Sequence, residues 1–234
     1  MDGLDGSGKS YAIRGLVRWA NSNKLKVFDL REYESKNNRI PEFKEISDSD
    51  VIISCEPTLA WVGKIIKEEL IRPKERLSYS GVTIAHAFAL DREILYRRVI
   101  IPALEQGKII FQERGVITSF VYQPVQIHTP LTELMNIPGN KLALKYAPSL
   151  IIICTVEPEY LMPRLEKRPS HDRQIFEHLS FQRKLYHRYK SDWLRELFAK
   201  YGSTFAYIDT NPPKTEEDTI LAAKKVWEDY LAKL

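Results

Sequence analysis

Three glycines followed by a lysine and a serine constrain this chain more than any other feature of its 234 residues. The run Gly3-Leu4-Asp5-Gly6-Ser7-Gly8-Lys9-Ser10 has the spacing G-x-x-x-x-G-K-S. Glycines at those positions let the backbone turn until its N–H groups converge on one point, and the following helix adds the positive end of its dipole. Such a cradle fits the phosphates of a nucleoside triphosphate. Gly3, Asp5, Gly6, Ser7 and Gly8 form the loop, Lys9 supplies a point charge to the β and γ phosphates, and the Ser10 hydroxyl is placed to ligate magnesium. A strand must precede the loop to present it at the carboxyl edge of a sheet. Only Met1 and Asp2 stand before Gly3, so the first strand is expected to be missing through truncation at the N-terminus.

The remainder alternates between two periodicities. Leu25 to Leu30, Val51 to Cys55, Lys108 to Glu113, Leu150 to Val156 and Thr204 to Asp209 read as short buried strands. Helical patterns cover Lys9 to Asn23, Thr83 to Gln106, Glu159 to Lys167, Phe176 to Lys200 and Thr215 to Leu234. Ser35 to Asp50 and Gln126 to Tyr146 are polar or turn-rich and are read as covering the ligand side. Strands alternating with helices imply a three-layer α/β P-loop fold with a mainly parallel sheet, because parallel strands need crossovers. The expected organisation is one domain over 1–234.

Composition narrows the ligand. With 35 basic and 31 acidic residues the net charge is +4, too mild and evenly spread for a nucleic-acid polymer, and small anionic nucleotides are the better expectation. Cys55 and Cys154 lie in apolar runs without metal-ligand or secreted spacing and read as reduced thiols of a cytoplasmic protein. No apolar stretch approaches a membrane span. The five histidines show no metal-ligand spacing. Asn23-Lys24-Leu25-Lys26 and Asn140-Lys141-Leu142-Ala143 both lack the aspartate of a guanine-reading loop, which argues against a switch GTPase. The strand Ile109-Ile110-Phe111-Gln112-Glu113 ends in Glu113-Arg114, which points to something narrower than a motor or transporter ATPase.

From Gly3 onward the sequence resembles the thymidylate kinase family. The matching stretches, in order, are Gly3 to Ser10; Glu56-Pro57-Thr58 with Gly63-Lys64; Phe88-Ala89-Leu90-Asp91-Arg92; Pro102 to Lys108; Glu113-Arg114; Ser119; Tyr122-Gln123; and Pro158-Glu159 with a basic segment to Arg173. The resemblance implies transfer of the γ-phosphoryl of ATP to a deoxynucleoside monophosphate, dTMP first. It implies Asp5 near the acceptor sugar, Phe88 on the base, Arg92 at the base edge or acceptor phosphate, and Arg114 on that phosphate. Glu113 would organise magnesium, water and that arginine, Ser119 would contact the base, and Tyr122 would exclude a ribose 2′-hydroxyl. It also implies a homodimer.

The loop interior contains no basic residue, so the arginine that neutralises the transferring group must come from elsewhere. Arg164, Arg168 and Arg173 lie in the stretch resembling the family's lid, around 164–177. Arg168 and Arg173 are preferred because they flank Pro169-Ser170-His171-Asp172, and Glu177 follows near the lid's end. Plainer readings stand beside these: Phe88 and Tyr122 as packing aromatics, Arg164 and Lys167 as a solvated helix face. Glu113-Arg114 replaces the family's commoner Asp-Arg, and Cys55 stands where an arginine is frequent. With Trp61 after Glu56-Pro57, these departures lean toward deoxynucleoside kinases, where Glu56 would act as general base on a 5′-hydroxyl. A third reading is a P-loop binding protein without catalysis.

Overall fold

The structure is a computed structural model that describes residues 1–71, 79–126, 129–167 and 178–234. Its strands are β1 (Asp2–Gly3), β2 (Val27–Asp29), β3 (Val51–Cys55), β4 (Ile109–Glu113), β5 (Leu150–Thr155) and β6 (Thr204–Asp209). The helices in chain order are α1 (Lys9–Ser22), α2 (Leu30–Asn37), α3 (Phe43–Ile46), α4 (Trp61–Ile65), α5 (Gly81–Leu95), α6 (Ile101–Glu105) and α7 (Val116–Gln126). They continue as α8 (Leu131–Asn136), α9 (Pro138–Lys145), α10 (Pro158–Glu166), α11 (Leu179–Lys190), α12 (Asp192–Ala199) and α13 (Glu216–Leu231). Two stretches, Ile66–Ile71 and Tyr96–Ile100, wind as π-helix. The chain divides into two compact units, one of residues 1–22 with 147–234 and one of residues 23–146.

In the first unit the sheet order is β1-β5-β6, all parallel. The strand expected to be missing before the loop is present as Asp2–Gly3, in register with Ile153 and Cys154 of β5. Two residues suffice because ladder pairing uses only backbone groups. Ala12, Ile152, Cys154, Ile208 and Ala223 form the core cluster. Helices α1 and α13 approach so closely at Gly15 that a Cβ there would lie 2.2 Å from the Ile220 carbonyl oxygen. Helix α13 opens with a capping box between Thr215 and Asp218. The single long helix read over Phe176 to Lys200 is interrupted within its described part at Ser191, which is extended and lets α12 begin in a new direction.

In the second unit the order is β2-β3-β4, again parallel, with Cys55 opposite Glu113 and Asp29 opposite Ile53. β3 is buried over Val51 to Ser54, as its unbroken apolar run requires. The segments read as polar cover carry helices: Ser35–Asp50 contains the end of α2 and all of α3, and Gln126–Tyr146 contains α8 and α9. Sequence polarity hid them because each is short and buries few residues, Leu30 and Glu34 in α2 and Leu134 in α8. Helix α2 starts from Asp29, whose side chain accepts from the Arg31 amide, and ends at Asn38 in the left-handed conformation. Helix α9 crosses α5 at Gly139, where a Cβ would sit 1.9 Å from the Ala89 carbonyl oxygen.

Two outcomes follow. Gly139→Ala forces α5 and α9 apart and is expected to cost about 3 kcal/mol in urea unfolding; an unchanged midpoint would contradict this contact. Glu34 is 1% exposed and accepts from the Leu59 amide at 2.7 Å. Burial pushes its carboxyl from 4.5 up to about 7, against the pull of that hydrogen bond. Between those values the folded chain keeps a proton that the unfolded chain has lost. Stability therefore falls as pH rises through that window, by up to about 3 kcal/mol from this group. Urea melts from pH 5 to 8 should show the decline in wild type and a shallower one in Glu34→Gln; identical slopes would contradict the assignment.

Candidate functional site

The loop in the first unit is built by backbone conformations that a side chain resists. Gly3, Gly6 and Gly8 take φ values of 138°, 79° and 88°, and a Cβ on Gly3 would lie 2.3 Å from the Cys154 carbonyl oxygen. Lys9 opens α1, and its buried ammonium donates to the Leu4 carbonyl at 2.7 Å and the Gly3 carbonyl at 3.3 Å. The ammonium is therefore held inside the curve of the loop. Thr210 donates its hydroxyl to the Ser7 carbonyl at 3.1 Å, tying the loop to the end of β6. Ser10 is exposed on the first turn of α1, and Asp5 is half-buried in the loop.

Arg164 does not lie on a solvated helix face. From α10 it donates to the Thr210 carbonyl at 2.8 Å and the Gly6 carbonyl at 3.4 Å, which sets a fixed positive charge against the loop. Arg168, Arg173 and Glu177 lie outside the described residues.

In the second unit the carboxyl ends of β3 and β4 meet α5, α7 and α9. The Glu56 amide donates to the Glu113 carbonyl at 3.0 Å, extending the ladder one residue past β3. From there the Glu56 carboxylate points at Arg92, which is 1% exposed on α5, and the two pair at 2.6 Å. The other Glu56 oxygen accepts from the Gln112 amide at 2.9 Å. Arg92 also donates to the Ser119 hydroxyl at 3.0 Å and to the Asn140 side-chain carbonyl, while Asn140 in turn donates to the Leu134 carbonyl at 2.8 Å. Among the described residues its Nε finds no acceptor. Burial pushes Glu56 up to about 7, with Arg92 and Gln112 pulling the other way. Breaking such a pair by removing one partner costs about 3–5 kcal/mol, because the survivor is left charged and dry.

Glu56, Arg92 and Ser119, singled out in the sequence, are thus brought together in one network. Phe88, half-buried, stands one helical turn before Arg92. Arg114 sits at φ 63°, a conformation a non-glycine residue rarely adopts, where β4 hands over to α7. Its guanidinium lies 5.7 Å from the centre of the buried Tyr122 ring and donates to the Thr118 hydroxyl at 3.4 Å. Glu113 is half-buried beside it, and its carboxylate meets Arg31 at 3.4 Å.

Sequence reasoning missed Gln112, Asn140, Asp91 and Arg31. Asp91 takes both the amide and the hydroxyl of Thr58, at 2.8 and 2.6 Å, and so anchors the loop that carries Glu56. Gln112 left a signal, a polar residue inside an otherwise apolar strand. Asn140 left none, because its segment carried no periodicity. For magnesium the donor chemistry fits: the Ser10 hydroxyl and the Glu113 carboxylate are hard oxygens. Among the described residues no cluster of three His, Cys, Asp or Glu could hold a metal. Nor is any described helix long and apolar enough to cross a membrane.

The thymidylate kinase of Caldicellulosiruptor saccharolyticus is 27% identical over all of this chain and 96% of its own length. The probable thymidylate kinase of Archaeoglobus fulgidus is 29% identical over 99% of this chain and 94% of its own length. The crystal structure of thymidylate kinase from Ehrlichia chaffeensis superposes with a TM-score of 0.58 over 97% of this chain and 95% of that one, at 16% identity. The thymidylate kinase family model matches residues 37–219, a stretch that contains Glu56, Arg92, Arg114 and Ser119, and the chain belongs to the thymidylate kinase family.

Proposed function

We propose that this chain transfers the γ-phosphoryl of ATP to dTMP, giving ADP and dTDP. The observation that carries the reading is the state of Glu56. One of its oxygens is paired with the Arg92 guanidinium and the other accepts from Gln112 in a buried network, and both contacts stabilise the anion and so disfavour its taking a proton from a 5′-hydroxyl. An acceptor that is already an anion needs no such base. It needs cations, and Arg114 at the end of β4 supplies one. This favours a monophosphate over a nucleoside and separates the chain from the deoxynucleoside kinases that its Glu-Pro and Glu-Arg pairs also suggest.

The chemistry asked of the protein is positioning and charge neutralisation. The loop amides, Lys9 and Arg164 would hold the donor phosphates; Arg114 would hold the acceptor phosphate; Phe88, Arg92 and Ser119 would seat the base, and Tyr122 would exclude a 2′-hydroxyl. Asp5 would meet the acceptor sugar. Magnesium, carried by ATP and held by Ser10 and Glu113, would withdraw charge from the phosphoryl oxygens. Arg168 and Arg173 remain the arginines we assign to the transferring group. The long coverage by relatives supports treating 1–234 as one kinase domain with a lid around 164–177. A homodimer in the cytoplasm completes the reading on the family resemblance.

Lys9→Ala should lower kcat by at least about a hundredfold with dTMP. Arg173→Ala should lower kcat more than it weakens ATP binding, and an unchanged kcat would remove the lid assignment. Assaying dTMP and thymidine in parallel separates the acceptor classes: turnover of dTMP is expected, and turnover of thymidine alone would overturn the proposal.

A further inference from the structure

Arg31 and Glu34 of helix α2 lie between the strand read over Leu25 to Leu30 and the cover read over Ser35 to Asp50 and carry no sequence assignment, and β2 and nearly all of α2 precede the family-matched residues 37–219. Yet these two side chains, three positions apart and so on one face, reach the two chain segments that carry the acceptor cluster. Arg31 forms a fork with Asp29, Nε at 3.0 Å and Nη2 at 2.7 Å, which leaves Nη1 to meet the Glu113 carboxylate at 3.4 Å. Glu34 is buried and accepts from the Leu59 amide at 2.7 Å, three residues beyond Glu56. Asp29 is both the cap of α2 and a ladder residue opposite Ile53 of β3, so the helix is fixed to the sheet whose edge it serves.

We propose that α2 is a positioning element of the acceptor site, with Arg31 setting the Glu113 carboxylate and Glu34 setting the Glu56–Ala60 loop. The geometry separates the two duties. Arg31 bridges two carboxylates, and a guanidinium that only neutralised Asp29 would have no need to extend Nη1 to the end of β4. Glu34 shares the loop with Asp91, which holds Thr58 at the neighbouring residue, so the backbone beyond Glu56 is gripped from α2 and from α5 at adjacent positions. The contacts described for the two side chains are to Asp29, Glu113 and the Leu59 amide. Their action is through Glu113 and through the loop, and they are positioning residues in the strict sense.

This inference rests on the nucleotide-kinase reading, and the test separates the two. Kinetics with ATP, magnesium and dTMP, calorimetry of dTMP, and amide hydrogen exchange are compared across wild type, Arg31→Ala, Arg31→Lys, Glu34→Ala and Glu34→Gln. Arg39→Ala, which removes an exposed pair with Glu45, is the control. Glu34→Ala is expected to raise the dTMP KM about tenfold with the ATP KM unchanged, and to speed exchange at residues 56–60. Glu34→Gln, which keeps an oxygen on the Leu59 amide, restores both. Arg31→Ala lowers kcat about tenfold and raises the magnesium concentration for half-maximal rate, and Arg31→Lys, lacking the fork, does not restore it. Arg39→Ala matches wild type throughout.

Unaltered dTMP KM, dTMP affinity and exchange in Glu34→Ala, with unaltered magnesium dependence in Arg31→Ala, would overturn the proposal. So would a lower melting temperature accompanied only by a uniform fall in active fraction. If wild type neither binds nor converts dTMP, the nucleotide-kinase reading fails instead. Exchange at 56–60 in Glu34→Ala and at 113–114 in Arg31→Ala then decides the positioning role alone.

Discussion

The buried pairing of Glu56 with Arg92 organises the second unit of this molecule. A charge that is 1% exposed needs partners for its hydrogen bonds, and Arg92 finds them for its terminal nitrogens in Glu56 just past β3, Ser119 of α7 and Asn140 of α9, while its Nε meets no acceptor among the described residues. Each partner needs its own element at a fixed height along α5. The close crossing at Gly139 sets α9 at that height, and Gln112 braces Glu56 from the neighbouring strand. The ion pair is thus a reason for the local packing as well as a feature of the site.

That network also ties down Glu56. Its two oxygens accept from Arg92 and Gln112, which builds the carboxyl into the packing of the cluster, and under the proposed function recognition of an anion falls to Arg114 and of a flat ring to Phe88. Arg114 adopts its left-handed conformation where the strand ends, and its guanidinium lies 5.7 Å from the centre of the Tyr122 ring and donates to Thr118. The first unit shows the same economy: three glycines shape a loop, and Lys9 and Arg164 bring charge to it from helices on either side in the chain.

Much of this was legible before the structure. β3 and β6 were read to the residue because an apolar run bounded by turn residues has one interpretation, and the loop was secured by its own spacing. Glu56, Arg92 and Ser119 were singled out, and all three fall in one network. Phe88, Arg114 and Tyr122 were singled out through order along the chain, since no single spacing marks them. What could not be read were contributions from short helices. Asn140 and Glu34 sit in segments of eight residues whose polarity resembles a loop, and their burial is imposed by neighbours distant in sequence. Arg31 was hidden for the same reason, and the choice between Arg164 as a lid candidate and as part of a solvated face stayed open because its acceptors are backbone carbonyls, which sequence does not display.

The most direct test of this account is a crystal structure with dTMP bound. The account predicts the thymine ring against Phe88 with its edge toward Arg92 and Ser119, and the phosphate on Arg114. The Glu56 oxygens should still rest on Arg92 and Gln112. A bound nucleotide whose 5′ oxygen contacts Glu56 after Arg92 has withdrawn, or one seated away from this cluster, would contradict it.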